Sequence, residues 1–298
     1  MKIIRPVTID DAVFQSSDVP ENDYAVWAVG TTYAAGDRVI VTTGYHKIYE
    51  SKLGGNVGND PTTDDGTNWL EVSSTNRWKM FDAIVQDQTV QATQIVTTLQ
   101  SPTVVNSMAF LNVAASTIEV TVTDAVEGVV YDETFNMTSY SGIQDWYAYF
   151  FEPIIRKDQL AITDLPPYAN ASIEVTINSN ADAKIGALVM GQFASLGLSQ
   201  HGASLSIVDY STKTTDAQGR VTITDGPYAD KMEVDVVLDT SQIGQANSTL
   251  SSLRTTPAVW IAEDNNDDLV IYGYYREFDI ILSNPTISRL SLEIEGLV

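Results

Sequence analysis

Short alternations of apolar and polar residues run through most of the chain. In residues 116–124, Ile118, Val120 and Val122 alternate with Glu119, Thr121 and Thr123. A period of two puts one face of a strand in a core and the other in water. Residues 171–179 repeat the pattern with Ile173, Val175 and Ile177 inward, and "GRVTIT", "KMEVDVVLD", "PAVWIAED", "LVIYGYYREFDIIL" and "SRLSLEIEGL" read the same way. Turn-forming strings separate them: "DAQG" from Asp216, "TDGP" from Thr224, "EDNNDD" from Glu263 and "SNP" from Ser283. Many short strands at this spacing predict a mainly β protein built as a sandwich, jelly-roll-like, rather than a parallel α/β sheet.

One segment breaks the period. Ile243, Ala246, Leu250 and Leu253 recur at helical steps. This predicts one short docked helix near residues 241–254, which Asp239, Thr240 or Ser241 can cap and Pro257 ends. Gly244 weakens it, so its stability is expected to come from docking. The aromatic-crowded stretch from Trp146 to Phe151 is followed at once by Pro153 and reads as a buried strand or irregular packed segment.

The pattern divides the chain into an extended N-terminal arm (1–22), a small Gly/Asp/Trp-rich unit (23–74), a β-sandwich domain (75–190) and a second β-rich domain carrying the helix (191–298). The arm's "MKIIRPVTI" can pair within its own domain or add a strand to the sheet edge of a neighbour.

Composition narrows the function. Among 298 residues, 39 are acidic and 16 basic, a net charge of -23, which opposes direct contact with nucleic acid. Cysteine is absent, which removes disulfides, thiolate nucleophiles and thiolate metal sites. No apolar run approaches a membrane span, and no secretory leader is expected from the first residues. Histidines are two, His46 and His201. His201 lies in "SQHGAS", with Ser199, Ser204 and Asp209 near in sequence but no nucleophile-elbow motif; it reads as a polar turn residue. His46 is expected on the solvated face of a strand. Two oxygen-rich loops, 59–68 and 264–268, could in principle hold calcium, but they lack the spacing of a calcium loop and read as polar turns. No catalytic residue, metal or cofactor is expected.

In the small unit, Trp27, Tyr33, Gly36, Asp37, Val39, Tyr49, Pro61 and Trp69 follow one another at a characteristic spacing. The arrangement resembles the chitin-binding type-3 module, carbohydrate-binding module families 5 and 12. The resemblance implies a small three-stranded module that stacks aromatic rings on sugars. The candidate carbohydrate-binding residues are Tyr33, Tyr45, Tyr49 and Trp69. The family's exposed aromatic pair after the second strand is replaced here by Leu53 and Gly54. The other reading of the same aromatics is a mini-core, since about fifty residues need large side chains to bury enough surface.

From residue 76 onward the strings Asp145-Trp146, Phe150-Phe151-Glu152-Pro153, Pro166-Pro167-Tyr168, Asp209-Tyr210-Ser211, Pro257-Ala258-Val259-Trp260, Tyr272-Gly273-Tyr274 and Glu295-Gly296-Leu297, with Gly186, Gly191, Gly219 and Arg254, look like a family of tailed-phage structural proteins from the tail tip or baseplate. That resemblance implies a non-enzymatic virion component, made in the bacterial cytoplasm, that assembles with other tail proteins and with copies of itself in three- or six-fold symmetry. A second reading is a receptor-binding protein that recognises host surface glycan through the small module. A third is a glycan depolymerase.

Overall fold

The structure is a computed structural model that describes residues 1–139, 145–151, 155–200, 202–216, 218–263, 269–282 and 284–297, without the side chains of residues 148 and 149. His201, the 264–268 loop, Glu152 and Pro153 therefore lie outside the described residues.

The chain is mainly β. The strands are β1 (Lys2–Pro6), β2 (Phe14–Ser17), β3 (Arg38–Val41), β4 (Lys47–Ser51), β5 (Trp69–Ser74), β6 (Thr89–Gln100), β7 (Ser107–Ala114), β8 (Thr117–Asp124), β9 (Gly128–Asn136), β10 (Thr138–Ser139), β11 (Ile155–Arg156), β12 (Leu160–Ile162), β13 (Ser172–Ser195) and β14 (Leu198–Ser199). They continue with β15 (Ser204–Asp209), β16 (Thr212–Thr215), β17 (Val221–Thr224), β18 (Tyr228–Asp239), β19 (Ala258–Ile261), β20 (Val270–Ile281) and β21 (Ile287–Gly296). The helices are α1 (Trp146–Phe151) and α2 (Ile243–Ser252).

β13 organises the body. Its first half pairs with β8 on one side and β6 on the other; its second half pairs with β6, β7 and then β1. The register sets Ile177 beside Ile95 and Ile118, and Ile173 beside Leu99 and Val122. Three alternating strands thus point one apolar face into the same core, which the inner face of β7 closes with Met108, Phe110 and Val113. The pairing with β6 breaks between Asn178 and Asp182, where Thr93 on the opposing strand takes a φ of +65°. A bulge of this kind bends a long strand from one layer into the next.

β13 runs unbroken through the expected boundary at 190–191, yet the core residues divide near it. One cluster ends with Met190, and a second runs from Leu196 through Trp260 to Ile294, joined by Met1 and Ile3. A small third cluster, including Ile4, Leu111, Val189 and Val259, lies on the opposite face of β1, β7, β13 and β19. The sheet continues from β13 through β1, β19, β20 and β21 to β18, with β14 and β15 at its edge.

The N-terminal residues decide between the two open expectations. Instead of an arm free to reach a neighbour, β1 is an inner strand, hydrogen-bonded to β13 on one edge and β19 on the other. Ile3 and Ile4 point to opposite faces and both are fully buried. Consecutive apolar residues suit a strand covered on both sides. β2 likewise joins the body by pairing with β6.

The stretch Trp146–Phe151 corrects an expectation. It is the single-turn-plus helix α1, not a strand, and Trp146, Tyr147, Phe150 and Phe151 are exposed rather than buried. The i,i+4 spacing pairs Trp146 with Phe150 and Tyr147 with Phe151, at centroid distances of 6.1 and 5.0 Å. The helix near 241–254 forms as expected. Asp239 caps its leading 3-10 turn by accepting the Ser241 N–H at 2.9 Å, and Ala246, Leu250 and Leu253 face the core.

Candidate functional site

The small unit is a separate three-stranded antiparallel sheet in the order β3-β4-β5. Gly36 and Gly44 take φ of +89° and +73° at the turns before β3 and before β4, a region that side chains with a Cβ avoid. Its core is Tyr33, Val39, Tyr49 and Trp69, with Trp27 and Val41 against them. Tyr33 and Trp69 meet edge to face at 5.2 Å, and the Trp69 indole N–H donates to the Asn59 carbonyl at 2.9 Å. Tyr33, Tyr49 and Trp69 are thus buried together in this core. Three of the four sugar-stacking candidates are core residues, because a sheet of this size has little else to bury. Tyr45 is different: it precedes β4 and is 51% exposed.

The 59–68 loop spends its carboxylates on itself. Asp64 accepts the backbone N–H groups of Gly66, Asn68 and Trp69 and the Asn68 amide, at 2.7 to 3.1 Å. Desolvation pushes this carboxyl up, but those donors outweigh it and hold it below the ordinary carboxylate value. Asp60 takes the Thr62 N–H and hydroxyl. Among the described residues no group of three or more acids and histidines is placed to hold a metal ion. Of the residues near His201 in sequence, Ser199 donates to the Ala262 carbonyl at 2.5 Å. Asp209 is bound to Ser211 and Lys213, which lower its carboxyl to about 2.

Tyr45 stands over a groove of about 490 Å³ between the module and the body, with Asp10, Asp11, Lys47, Ser74 and Asp82 in its walls. The groove exists because His46 fixes the module to the body. His46 sits at φ +53°, and its ring lies on Trp78, which Phe14 and Phe81 support. Its two ring nitrogens face Glu21 Oε1 at 2.9 Å and Asp11 Oδ1 at 2.6 Å. An imidazolium donates to both, whereas a neutral ring can donate to one only. Glu21 also accepts the Thr75 hydroxyl at 2.8 Å and lies 3.6 Å from the Arg77 guanidinium. Sequence reading placed His46 on a solvated face; in the structure the ring is mostly covered. No local pattern marks that role, since its partners come from residues 11, 21 and 78.

On the far wall, Asp82 Oδ1 accepts the Ile84 N–H at 2.9 Å, and Oδ2 is buried near Ser74. Burial pushes this carboxyl above its ordinary value despite Lys47 nearby. The groove thus offers an exposed ring, a cation and several acceptors, a set that suits a hydroxyl-rich ligand.

No protein-family model matches the chain, and no curated protein matches it in sequence.

Proposed function

We propose that this chain is a non-enzymatic structural component of a phage tail tip or baseplate, assembling with other tail proteins and with copies of itself. The observation that supports this most is α1. Trp146, Tyr147, Phe150 and Phe151 stand exposed together on a chain of net charge -23, and Ile155 beside them is exposed as well. Contiguous exposed aromatics on an otherwise highly charged protein mark a surface made to be covered. The resemblance of the body to tail-tip proteins supplies the setting, a virion part folded in a bacterial cytoplasm. Gold-labelled antibody against the chain, applied to purified tailed particles, should mark the tail tip. Particles that lack the chain would overturn the reading.

A second reading, recognition of a host surface glycan, is favoured by one observation: the half-exposed Tyr45 lines a groove with polar walls. Aromatic faces stack on sugar rings while nearby carboxylates accept their hydroxyls. A glycan array probed with the full chain tests it: binding should disappear in Tyr45→Ala, and absence of binding to any bacterial glycan would count against it. Under this reading the chain holds sugar without cutting it, so polysaccharide incubated with it keeps its size.

A further inference from the structure

The hairpin β16–β17 is attached to the body at its base and is exposed along its length. All eight strand residues are exposed, and among the described residues the two strands pair only with each other. The base is firmly built. The Tyr210 hydroxyl donates to the buried Glu295 at 3.1 Å, and the Gly226 N–H donates to Ser211 Oγ at 3.1 Å. At Gly226 a Cβ would come within 2.6 Å of the Tyr210 carbonyl oxygen, so the strands leave the body through a tight neck. Toward the tip, Asp216 accepts the N–H groups of Gln218 and Arg220 at 2.9 and 2.7 Å.

A two-stranded hairpin is marginal in water by itself. This one also has a patterned surface. The register pairs Lys213 with Ile223 and Thr215 with Val221, so those four share one face; the other face is four threonines. Val221 and Ile223 are 62% and 60% exposed. Residues 212–224 carry two cations and one carboxylate, on a chain with a large acidic excess. Among the described residues Arg220 makes no ion pair.

A segment of opposite charge lies on another branch of the strand network. β9 pairs only with β8 among the described residues, so its outer edge is open. Residues 124–136 hold Asp124, Glu127, Asp132 and Glu133 and no cation. Val126 and Val129 are exposed beside them. The hairpin thus carries two cations beside two exposed branched apolar side chains, and the β8–β9 segment carries carboxylates beside two others. In the strand network, β9 ends the path that leaves β13 through β8. The hairpin follows β15, at the edge reached through β1, β19, β20, β21 and β18.

We propose that the hairpin β16–β17 of one copy docks on the acidic β9 edge of the next, giving a head-to-tail contact between copies of this chain. Such a contact uses two different patches and generates a ring when the rotation closes. An added strand satisfies the open edge, and the opposed charges set the register. This rests on the assembly reading above and specifies its self-contact.

Sedimentation of the full chain over a range of concentrations tests it. The wild type should sediment as a discrete multiple of 32.5 kDa. It should fall toward one copy in about 1 M salt, where the screening length is roughly 3 Å. K213E/R220E should fall to the mass of one copy, as should D132K/E133K, and the four changes together should restore the multiple. A single-copy wild type, an unchanged mass in either pair, or failure of the combined variant to reassociate overturns the docking. Circular dichroism checks that each variant folds. If K213E/R220E does not fold, V221T/I223T takes its place: a single-copy mass supports the contact and an unchanged multiple overturns it. A single-copy wild type that is still found at the tail tip would leave the assembly reading standing, whereas absence from the particle removes that reading itself.

Discussion

The imidazole of His46 lies flat on the indole of Trp78, with ring centroids 3.8 Å apart and planes 16° from parallel. One ring belongs to the small module and the other to the body, so this stack joins two cores that share no strand. The carboxylates of Asp11 and Glu21, both from the N-terminal segment, hold the imidazole by its edges. His46→Asn keeps a residue that tolerates positive φ while removing the stack and the charged contacts. It should lower unfolding stability by about 1.5–3 kcal/mol, the range for hydrogen bonds to charged groups. Denaturant titration measures this. A change within about 0.5 kcal/mol, typical of an ordinary surface position, would contradict the clamp.

The two tyrosines flanking His46 and Lys47 should behave oppositely. Tyr49 is buried against the module core, so Tyr49→Ala should cost about 3–5 kcal/mol, as truncation of large aromatic core residues does. Tyr45→Ala should change stability by no more than about 0.5 kcal/mol. Thermal melts of the two variants make the comparison, and equal losses would remove the distinction between core and groove.

Asp82 gives a pH signature. Burial raises its carboxyl in the folded chain, so the folded state prefers the protonated acid. Its contribution to stability is best at acid pH and declines as pH rises from the ordinary carboxylate value through the raised one. Asp82→Asn removes that penalty. The variant should melt higher than wild type at neutral pH and lose the advantage as pH falls below about 4, where an unfolded carboxyl also protonates. A difference independent of pH would contradict the assignment.

Gly191 lets β1 approach β13. A Cβ at that position would lie 1.9 Å from the Arg5 carbonyl oxygen, and backbone cannot yield cheaply. Gly191→Ala should destabilise by about 3 kcal/mol or more, at the upper end of overpacking effects. Hydrogen exchange should show the loss concentrated at residues 2–6 and their partners. Uniform protection across that strand would argue against the close approach.

Much of the fold was legible because it depends on local period. Ile118, Val120 and Val122 alternate, and they are the buried face of β8. Ile243 to Leu253 step as a helix steps, and they form its docked face. The pattern was silent where tertiary partners decide. Ile3 and Ile4 could have served a neighbour's edge; only the placement of β13 and β19 makes β1 an inner strand. Trp146 to Phe151 reads as core by hydrophobicity, yet helical spacing and exposure make it a surface. The candidate site was half legible. Its aromatic residues were evident, but which ring faces water depended on turn geometry at Gly44 and His46. The partners of His46 lie 25 and more residues away in sequence, so no spacing rule reveals the groove.

The most direct test of the assembly account is an image reconstruction of the intact tailed particle at side-chain resolution. The expected result places this chain at the tail tip, with Trp146, Tyr147, Phe150 and Phe151 covered by neighbouring subunits. A particle without this chain, or one in which those four aromatics face solvent in every copy, would contradict it.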